Sequence, residues 1–290
     1  MKLIIESGST KSDWVSVENG IETNRYKTMG YNPFFHNETI IFNSINQNRE
    51  IKGISKDVKE VFFYGAGCSS TELNSVVEKA LRKVFCNAIV SVDHDLVACA
   101  LATYEGVPAI SCIIGTGSNS CMFDGENLIE AVPALGYILG DEGAGSYYGK
   151  KLLTDFLYGK LPKEINDDFV NEFNLTKADI FDSTYMKPHA NVYLASFMRF
   201  ISKHIENSYV DDMIKKGMKH FMENHVCCFE NYHEMKVHFI GSMSFIFKNQ
   251  LEHAAQELGI HVGLIIKQPV DRLVQYHIKY GNLEKGIVKQ

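Results

Sequence analysis

A segment near the start of the chain, Glu6–Ser12, has the composition of a phosphate-binding turn. Small residues let backbone N–H groups approach a phosphate closely, while Ser9 and Thr10 add hydroxyl donors and Lys11 adds positive charge. A Walker loop needs the pattern G-x-x-x-x-G-K-[ST] ahead of a helix, whereas this turn precedes a predicted strand. Taken alone, such a segment is more often a plain hairpin turn than a phosphate site.

A second turn of the same kind is Gly115–Asn119, which also lies between two predicted strands. Two such turns in facing halves of a protein could hold one polyphosphate from both sides. The pair is therefore a more specific signal than either turn alone. Two ordinary hairpins remain the alternative interpretation.

Asp95 is the candidate catalytic carboxylate, because it follows a predicted strand and opens a predicted helix. Transfer of a phosphoryl group to a hydroxyl needs a carboxylate that can accept the hydroxyl proton. Asp is also a common helix N-cap, and from spacing alone the cap is the stronger interpretation. Asp93 is the neighbouring competitor, and we expect His94 to lie at the surface or at a cleft rim.

Two later segments could also contact a ligand. Gly140–Ser146 places Asp141 and Glu142 between glycines, where they could bind the hydroxyls of a polyol or belong to a Mg²⁺ shell. The alternative is a helix N-terminus, which acidic residues favour. A predicted strand that ends in Gly241-Ser242 could let a nucleoside lie on bare backbone, although this signal is weak by itself.

The elements that must position these residues form an alternating β/α pattern. Asn19-Gly20 predicts a hairpin turn, residues 143–235 read as mainly helical, and the strand–turn–strand pattern recurs about 107 residues after its first occurrence. We expect two β/α halves with a cleft between them. The predicted strands are 3–5, 14–17, 21–28, 60–64, 89–92, 109–114, 120–123 and 237–240, and the predicted early helices are 38–48, 71–85 and 95–104.

Composition excludes several function classes. The chain has 290 residues and a formal net charge of −6, which argues against nucleic-acid binding as its main function. No apolar run approaches the roughly 18 residues that a membrane span needs. Seven cysteines without a C-x-x-C pair favour free thiols in a reducing cytoplasm, and no His pattern predicts a zinc site.

Six segments in this order resemble the sugar kinase, Hsp70 and actin superfamily. They are most similar to the N-acetylglucosamine kinase branch of the BadF/BadG/BcrA/BcrD ATPase family. The likeness runs from residue 3 to about residue 277. The segments that carry it are Ser7–Trp14, Gly30–Phe34, Tyr64–Cys68, Gly115–Ser120, Leu139–Gly143 and Phe239–Ser242.

The resemblance implies an α/β fold of two ribonuclease-H-like (actin-like ATPase) domains with an interdomain ATP and sugar cleft. The implied domains are residues 1–108 and 109–269, with a C-terminal helix at about 270–290 packing back onto the first. Relatives of this family often form dimers through the second domain, so we expect a homodimer.

The resemblance also implies roles for individual residues. It makes Asp95 the catalytic base and Glu6 the Mg²⁺ ligand, directly or through a water, at a position where many relatives carry Asp. The phosphates of ATP are assigned to Gly8, Ser9, Thr10, Lys11, Thr116 and Gly117. Adenosine is assigned to Gly241 and Ser242. The sugar is assigned to Asn32, Asp95, Asp141 and the backbone near Thr116 and Gly145.

The expected activity is ATP-dependent phosphorylation of the 6-hydroxyl of an amino sugar, with Mg²⁺, in the cytoplasm. N-acetylglucosamine is the first choice, and glucosamine and N-acetylmuramic acid stay open. Two other classes also stay open. One is an ATPase that activates a 2-hydroxyacyl-CoA dehydratase through a Cys-held iron–sulfur cluster, and the other is a non-catalytic sugar sensor. We expect no nucleic acid or membrane among the partners.

Overall fold

The protein was analysed as a computed structural model that describes residues 1–8, 11–280 and the backbone of 288–289. Ser9 and Thr10 of the first turn therefore lie outside the described residues. The chain divides into two compact units. Unit 1 contains residues 1–107, 124–128 and 268–290, and unit 2 contains residues 108–123 and 129–267.

Unit 1 is built on a five-stranded mixed sheet in the order β3-β2-β1-β4-β5. The first three strands are antiparallel neighbours, and β1, β4 and β5 run parallel. Ser7, Gly65 and His94 lie in one row across the carboxyl ends of the parallel strands. The strands are β1 Lys2–Ser7, β2 Lys11–Glu18, β3 Ile21–Met29, β4 Glu60–Gly65 and β5 Ile89–His94.

Four helices of unit 1 cover this sheet. Leu3, Ile4 and Ile5 of β1 are all buried, as expected for a strand with both faces covered. Every residue of the fourth helix after Asp95 is also buried, so the core fixes the position of that helix. The helices are α1 Glu38–Gln47, α2 Arg49–Ile54, α3 Thr71–Val84 and α4 Asp95–Thr103.

Unit 2 repeats the strand–turn–strand start, followed by a largely helical region. Its strands run in the order β10-β9-β6-β7, with β6 and β7 antiparallel and the others parallel. The strands of unit 2 are β6 Ala109–Ile114, β7 Ser118–Phe123, β9 Lys236–Ile240 and β10 His261–Ile266. The short strands β8 Asn127–Ile129 and β11 Val288–Lys289 pair in parallel with each other, and all of their residues except Ile129 belong to unit 1.

The helices of unit 2 bury a core rich in Phe and Met, including Phe169, Phe197 and Phe200. The helical prediction for residues 143–235 agrees with these elements. They are α5 Gly136–Leu139, α6 Gly145–Leu157, α7 Lys163–Phe173, α8 Lys177–Phe181, a π-helix Asp182–Met186, α9 Ala190–Ser196, α10 Met198–Lys203, α11 Ser208–His225, a 3₁₀ turn Tyr232–Glu234, α12 Ser242–Ile246 and α13 Lys248–Glu257.

The last helix, α14 Val270–Lys279, belongs to unit 1. Arg272 Nε donates to the Ala102 carbonyl at 2.8 Å, which ties α14 to α4. His277 Nε2 lies 3.0 Å from the Tyr64 hydroxyl on β4. No helix among the described residues has both the length and the hydropathy to cross a membrane.

Two details of the sequence prediction were wrong. Lys11 and Ser12 were assigned to the first turn, but they belong to β2 because the ladder continues to the Ser7–Ser12 pair. Strand β10 was missed. Its apolar alternation is interrupted by Gly263, where the pairing with β9 shifts register.

Candidate active site

The turn between β1 and β2 is held mainly by its own backbone. The Gly8 N–H donates to the Lys11 carbonyl at 3.0 Å, so this amide is used inside the turn. Lys11 Nζ lies 3.2 Å from Asp13 Oδ2, and its side chain is about half exposed. Lys11 is thus placed at the surface of the turn, where its charge can reach a ligand.

Glu6 lies at the acidic centre of unit 1. Its register partner on β2 is Asp13. Desolvation raises the pKa of Glu6 to about 7, with further raising by the charges of Asp95 and Asp13 and a partial opposing effect of Lys11. Asp95 and Asp13 therefore both disfavour the charged form of the buried Glu6 carboxylate.

The donor set of this region fits Mg²⁺ bound together with a nucleotide. Among the described residues, no group of three or more His, Cys, Asp or Glu side chains could hold a metal ion alone. Mg²⁺ is usually held by one or two carboxylates plus substrate phosphates, and a cation would relieve the repulsion around Glu6. Glu6 offers the hard oxygen that such an ion needs, so the residues present fit the group.

Asn32 is fixed by the loop that follows β3. The Tyr31 N–H donates to Ser7 Oγ at 2.8 Å, which anchors the loop to the end of β1. Asn32 Oδ1 accepts the Phe34 N–H at 3.0 Å, and the residue is only 7% exposed. Because Oδ1 is engaged in this turn, Nδ2 is the donor that Asn32 offers to a ligand.

Gly67 packs directly against Asn32. Its φ is +83°, and a Cβ at this position would lie 2.3 Å from Asn32 Oδ1 and 3.0 Å from the Phe34 ring. Only glycine fits such a contact at positive φ without strain. The Gly65–Cys68 segment thus positions the candidate sugar-binding side chain, a role that the sequence did not reveal.

Asp95 is the first residue of α4, and its side chain is 28% exposed. His94 occupies the N-cap position of α4 and Asp95 is already inside the helix, so the N-cap interpretation of Asp95 was wrong. Desolvation raises the pKa of Asp95, but His94 and the amides of Leu96 and Asp95 outweigh it, and the net pKa lies below the ordinary value. Asp95 is therefore ionised at neutral pH.

In unit 2, the turn between β6 and β7 is bonded to the start of α6. The Gly145 N–H donates to the Gly115 carbonyl at 2.8 Å, and the Ser146 N–H donates to the Thr116 carbonyl at 3.1 Å. The Gly145 amide and the Thr116 carbonyl are thus already bonded within the protein. A Cβ on Gly117 would lie 2.9 Å from Asp141 Oδ1, so this position needs glycine.

Asp141 lies directly over this turn. Its Oδ1 accepts the Ser118 N–H and its Oδ2 accepts the Ser146 hydroxyl, both at 3.2 Å. Desolvation raises its pKa above the ordinary value, and these two hydrogen bonds offset part of the rise. Its φ of 57° is uncommon for a residue other than glycine and is frequent at ligand sites.

Glu142 turns away from Asp141 and towards α11. Glu142 Oε1 accepts from Asn224 Nδ2 at 3.3 Å, and Oε2 lies 3.7 Å from His225 Nε2. Helix α6 begins at Gly145 with Ala144 as an N-cap that makes no side-chain bond. Neither acid therefore caps α6, and Glu142 instead ties the turn to α11.

Gly241 lies against the same turn. Its φ is +128°, and a Cβ here would lie 2.2 Å from the Ile114 carbonyl oxygen. The Gly241 N–H donates to the Ile266 carbonyl at 2.9 Å, and Ser242 opens α12. Unit 2 thus brings together Thr116, Gly117, Asp141, Gly145 and Gly241, and unit 1 brings together Glu6 and Asp95 at one sheet edge, with Asn32 anchored to it through Ser7.

Sequence reasoning missed the polar residues that hold these groups in place. Ser7 Oγ accepts from both the Tyr31 N–H and the Ser12 hydroxyl. Around Asp141, the Ser118 backbone N–H and the Ser146 hydroxyl act as donors to the carboxylate. All four serines are buried, and a buried Ser next to a Gly-rich turn is the signal that could have found them.

Comparison with solved structures places this arrangement in a family. A candidate N-acetylglucosamine kinase from Porphyromonas gingivalis matches with a TM-score of 0.90 and 34% identity, covering 97% of this chain and 99% of that one. A second candidate N-acetylglucosamine kinase, from Chromobacterium violaceum, matches with a TM-score of 0.62 and 10% identity over 95% and 98% of the two chains, which shows a shared fold. No protein-family model and no curated protein matches the chain. The identity to the P. gingivalis protein over nearly the full length shows that this chain belongs to the N-acetylglucosamine kinase-like branch of the sugar kinase, Hsp70 and actin superfamily.

Proposed function

We propose that this protein transfers the γ-phosphoryl group of ATP to the 6-hydroxyl of an amino sugar, with N-acetylglucosamine as the first candidate. The observation that carries the proposal is the ionised Asp95 at the carboxyl edge of the unit 1 sheet, in the same unit as Glu6 and Asn32. The similarity to the candidate N-acetylglucosamine kinase from P. gingivalis supports the class of substrate. Glucosamine and N-acetylmuramic acid are the other amino sugars to test.

In the proposed reaction, Asp95 accepts the proton of the sugar 6-hydroxyl while that oxygen attacks the γ-phosphorus. The new O6–P bond forms as the bond between the γ-phosphorus and the β,γ-bridging oxygen breaks, and ADP leaves with the electron pair. Because the transition state is loose, an ionised base mainly orients the hydroxyl, and the lowered pKa of Asp95 suits that role.

The other residues bind and orient the substrates in this proposal. Asn32 and Asp141, with backbone near Thr116 and Gly145, would hold sugar hydroxyls, and Gly241 and Ser242 would face the adenosine. The first turn, with Gly8 and the adjacent Lys11 of β2, and the second turn, with Thr116 and Gly117, would hold the phosphates, and Ser9 and Thr10 are assigned with them. Glu6 would hold Mg²⁺, and that ion, when bound, neutralises charge on the phosphate oxygens.

An enzyme-coupled assay of ADP release tests this function directly. The wild-type protein should release ADP when supplied with N-acetylglucosamine, and ³¹P NMR should find the phosphate on the 6-position. Asp95→Asn should keep the fold and sugar binding but lower kcat by at least about 100-fold, the lower range for loss of a general base. Near-normal turnover by Asp95→Asn would remove Asp95 from the role.

A dehydratase activator or a sugar sensor would give different results in these experiments. Cys99, Cys112 and Cys121 are buried within elements of the core, which does not favour them as cluster ligands. A brown, oxygen-sensitive protein whose ATPase activity ignores sugars would favour that class. Sugar binding without ADP production under Mg²⁺ or Mn²⁺ would favour the sensor.

A further inference from the structure

His94 contacts the candidate catalytic base directly. Its Nδ1 lies 2.9 Å from Asp95 Oδ1, and the two side chains are 23% and 28% exposed. The same Nδ1 lies 3.2 Å from the Leu96 amide nitrogen, within the geometry of a helix cap. One imidazole nitrogen therefore lies within hydrogen-bonding distance of both an anionic oxygen and an N–H.

The chemistry of the three groups decides which contact Nδ1 makes. Asp95 is ionised, so its oxygens only accept hydrogen bonds, and an approach of 2.9 Å by a bare nitrogen lone pair would be repulsive. A hydrogen on Nδ1 that is donated to Asp95 removes this conflict. The Leu96 amide also reaches the Asp95 carboxylate, so it keeps a partner.

The backbone on both sides of His94 is held by the fold, so the contact between the His94 and Asp95 side chains is the part that a substitution changes. His94 is the last residue of β5, paired in register with Gly65, and α4 is buried from Leu96 to Thr103. The charged groups on neighbouring elements are Glu6 on β1, Asp93 on β5 and Arg272 on α14. Arg272 bonds to Ala102 near the opposite end of α4, so it does not reach Asp95.

We propose that His94 is a positioning residue, whose Nδ1–H holds one oxygen of Asp95 and thereby turns the other oxygen towards the sugar hydroxyl. This inference rests on the proposed kinase function. A carboxylate fixed in one rotamer accepts the proton without first reorienting. We take the expected effect from the hydrogen-bond partners of metal ligands, whose loss changes activity by about 10- to 100-fold.

A matched pair of substitutions separates this role from helix capping. Asn and Asp have the same size and are equally good N-caps, but only Asn can donate a hydrogen bond to Asp95. His94→Asn should keep kcat within about 3-fold of wild type, and His94→Asp should lower kcat about 10- to 100-fold. The KM for the sugar should change less than about 3-fold in His94→Asn, because its substrate contacts are intact.

The same two substitutions at His253 are the control. This exposed residue on α13 also contacts a carboxylate, that of Glu257, but lies in unit 2, whereas Asp95 lies in unit 1. His253→Asn and His253→Asp should both have wild-type kcat, and thermal unfolding should show that all four variants fold. Equal kcat in the two His94 variants, whether high or low, would overturn the positioning role. If the wild-type protein shows no sugar-dependent ADP release, the proposed function fails instead, so the two failures are distinguishable.

Discussion

The contact between Gly67 and Asn32 gives a sharp test of how the sugar is bound. In Gly67→Ala, the new Cβ would lie 2.3 Å from Asn32 Oδ1, where real Cβ contacts do not fall below 3.0 Å. The Asn32 side chain must therefore move by at least about 0.7 Å. The bond from the Phe34 N–H to Oδ1, now 3.0 Å, would be stretched or lost.

The size of the effect follows from hydrogen-bond geometry. A bond of about 2.9 Å that lengthens by 0.7 Å exceeds the accepted range, so the sugar loses one hydrogen bond from Asn32. Such a bond contributes about 0.5–1.5 kcal/mol, or roughly 2- to 12-fold in affinity. We expect the KM for N-acetylglucosamine to rise by about 2- to 12-fold, while the KM for ATP stays within about 2-fold.

Gly106→Ala is the matched control for backbone strain. Gly106 has a φ of +92°, close to the +83° of Gly67, but a Cβ there would meet nothing within 4 Å. Both variants should lose about 1–2 kcal/mol of unfolding free energy because L-residues disfavour this conformation, and Gly67→Ala should lose more because its Cβ also overlaps Asn32. Only Gly67→Ala should raise the sugar KM. An unchanged sugar KM in Gly67→Ala, or an equal rise in both variants, would refute the role given to Asn32.

Three further predictions concern the metal, stability and the second turn. Glu6→Gln should raise the Mg²⁺ concentration for half-maximal activity about 10-fold or more, because it removes a carboxylate from the site. An unchanged Mg²⁺ requirement would show that Glu6 does not hold the ion. His277 has a pKa of about 3 when folded, since burial lowers it first and Lys2 second. Below about pH 6.5 His277 therefore binds a proton in the unfolded chain but not in the folded one, and the unfolding free energy should fall by up to about 1.4 kcal/mol per pH unit from there to pH 3. In denaturant titrations of His277→Gln at several pH values, this contribution to the pH dependence of the unfolding free energy should be missing. Gly241→Ala should raise the KM for ATP and lower the melting temperature, because its Cβ would strike the Ile114 carbonyl oxygen at 2.2 Å. Gly259→Ala, at a φ of +65° with the nearest atom to its new Cβ at 3.6 Å, is the control that should leave the ATP KM unchanged.

The fold was predictable because its signals are local. Asn19-Gly20 forms the expected hairpin, with φ of 52° and 77° at the two positions, and the restart of the pattern at Ala109 matches β6. The second turn falls where the sequence placed it because Gly and small polar residues interrupt apolar runs. Strand β10 escaped prediction because Gly263, which packs on the His238 ring, breaks its alternation.

The supporting contacts were not predictable because they join distant parts of the chain. From its sequence position, Glu142 is interpreted as an acidic residue at a helix N-terminus, yet its side chain accepts a hydrogen bond from Asn224, 82 residues away. His94 gave no catalytic signal, since its contact with Asp95 depends on the side-chain orientation at the end of β5. The raised pKa of Glu6 comes first from burial and second from the charge of Asp95, and both depend on tertiary packing that the local sequence does not encode.

The central claim is that this chain phosphorylates an amino sugar. Coupled ADP release with purified wild-type protein, ATP and Mg²⁺ should be measured against a panel of hexoses and amino sugars, with Mn²⁺ in parallel. N-acetylglucosamine should stimulate ADP release well above the sugar-free rate, and Asp95→Asn should abolish nearly all of that stimulation. Failure of every sugar in the panel to stimulate ADP release under either metal would contradict the kinase account.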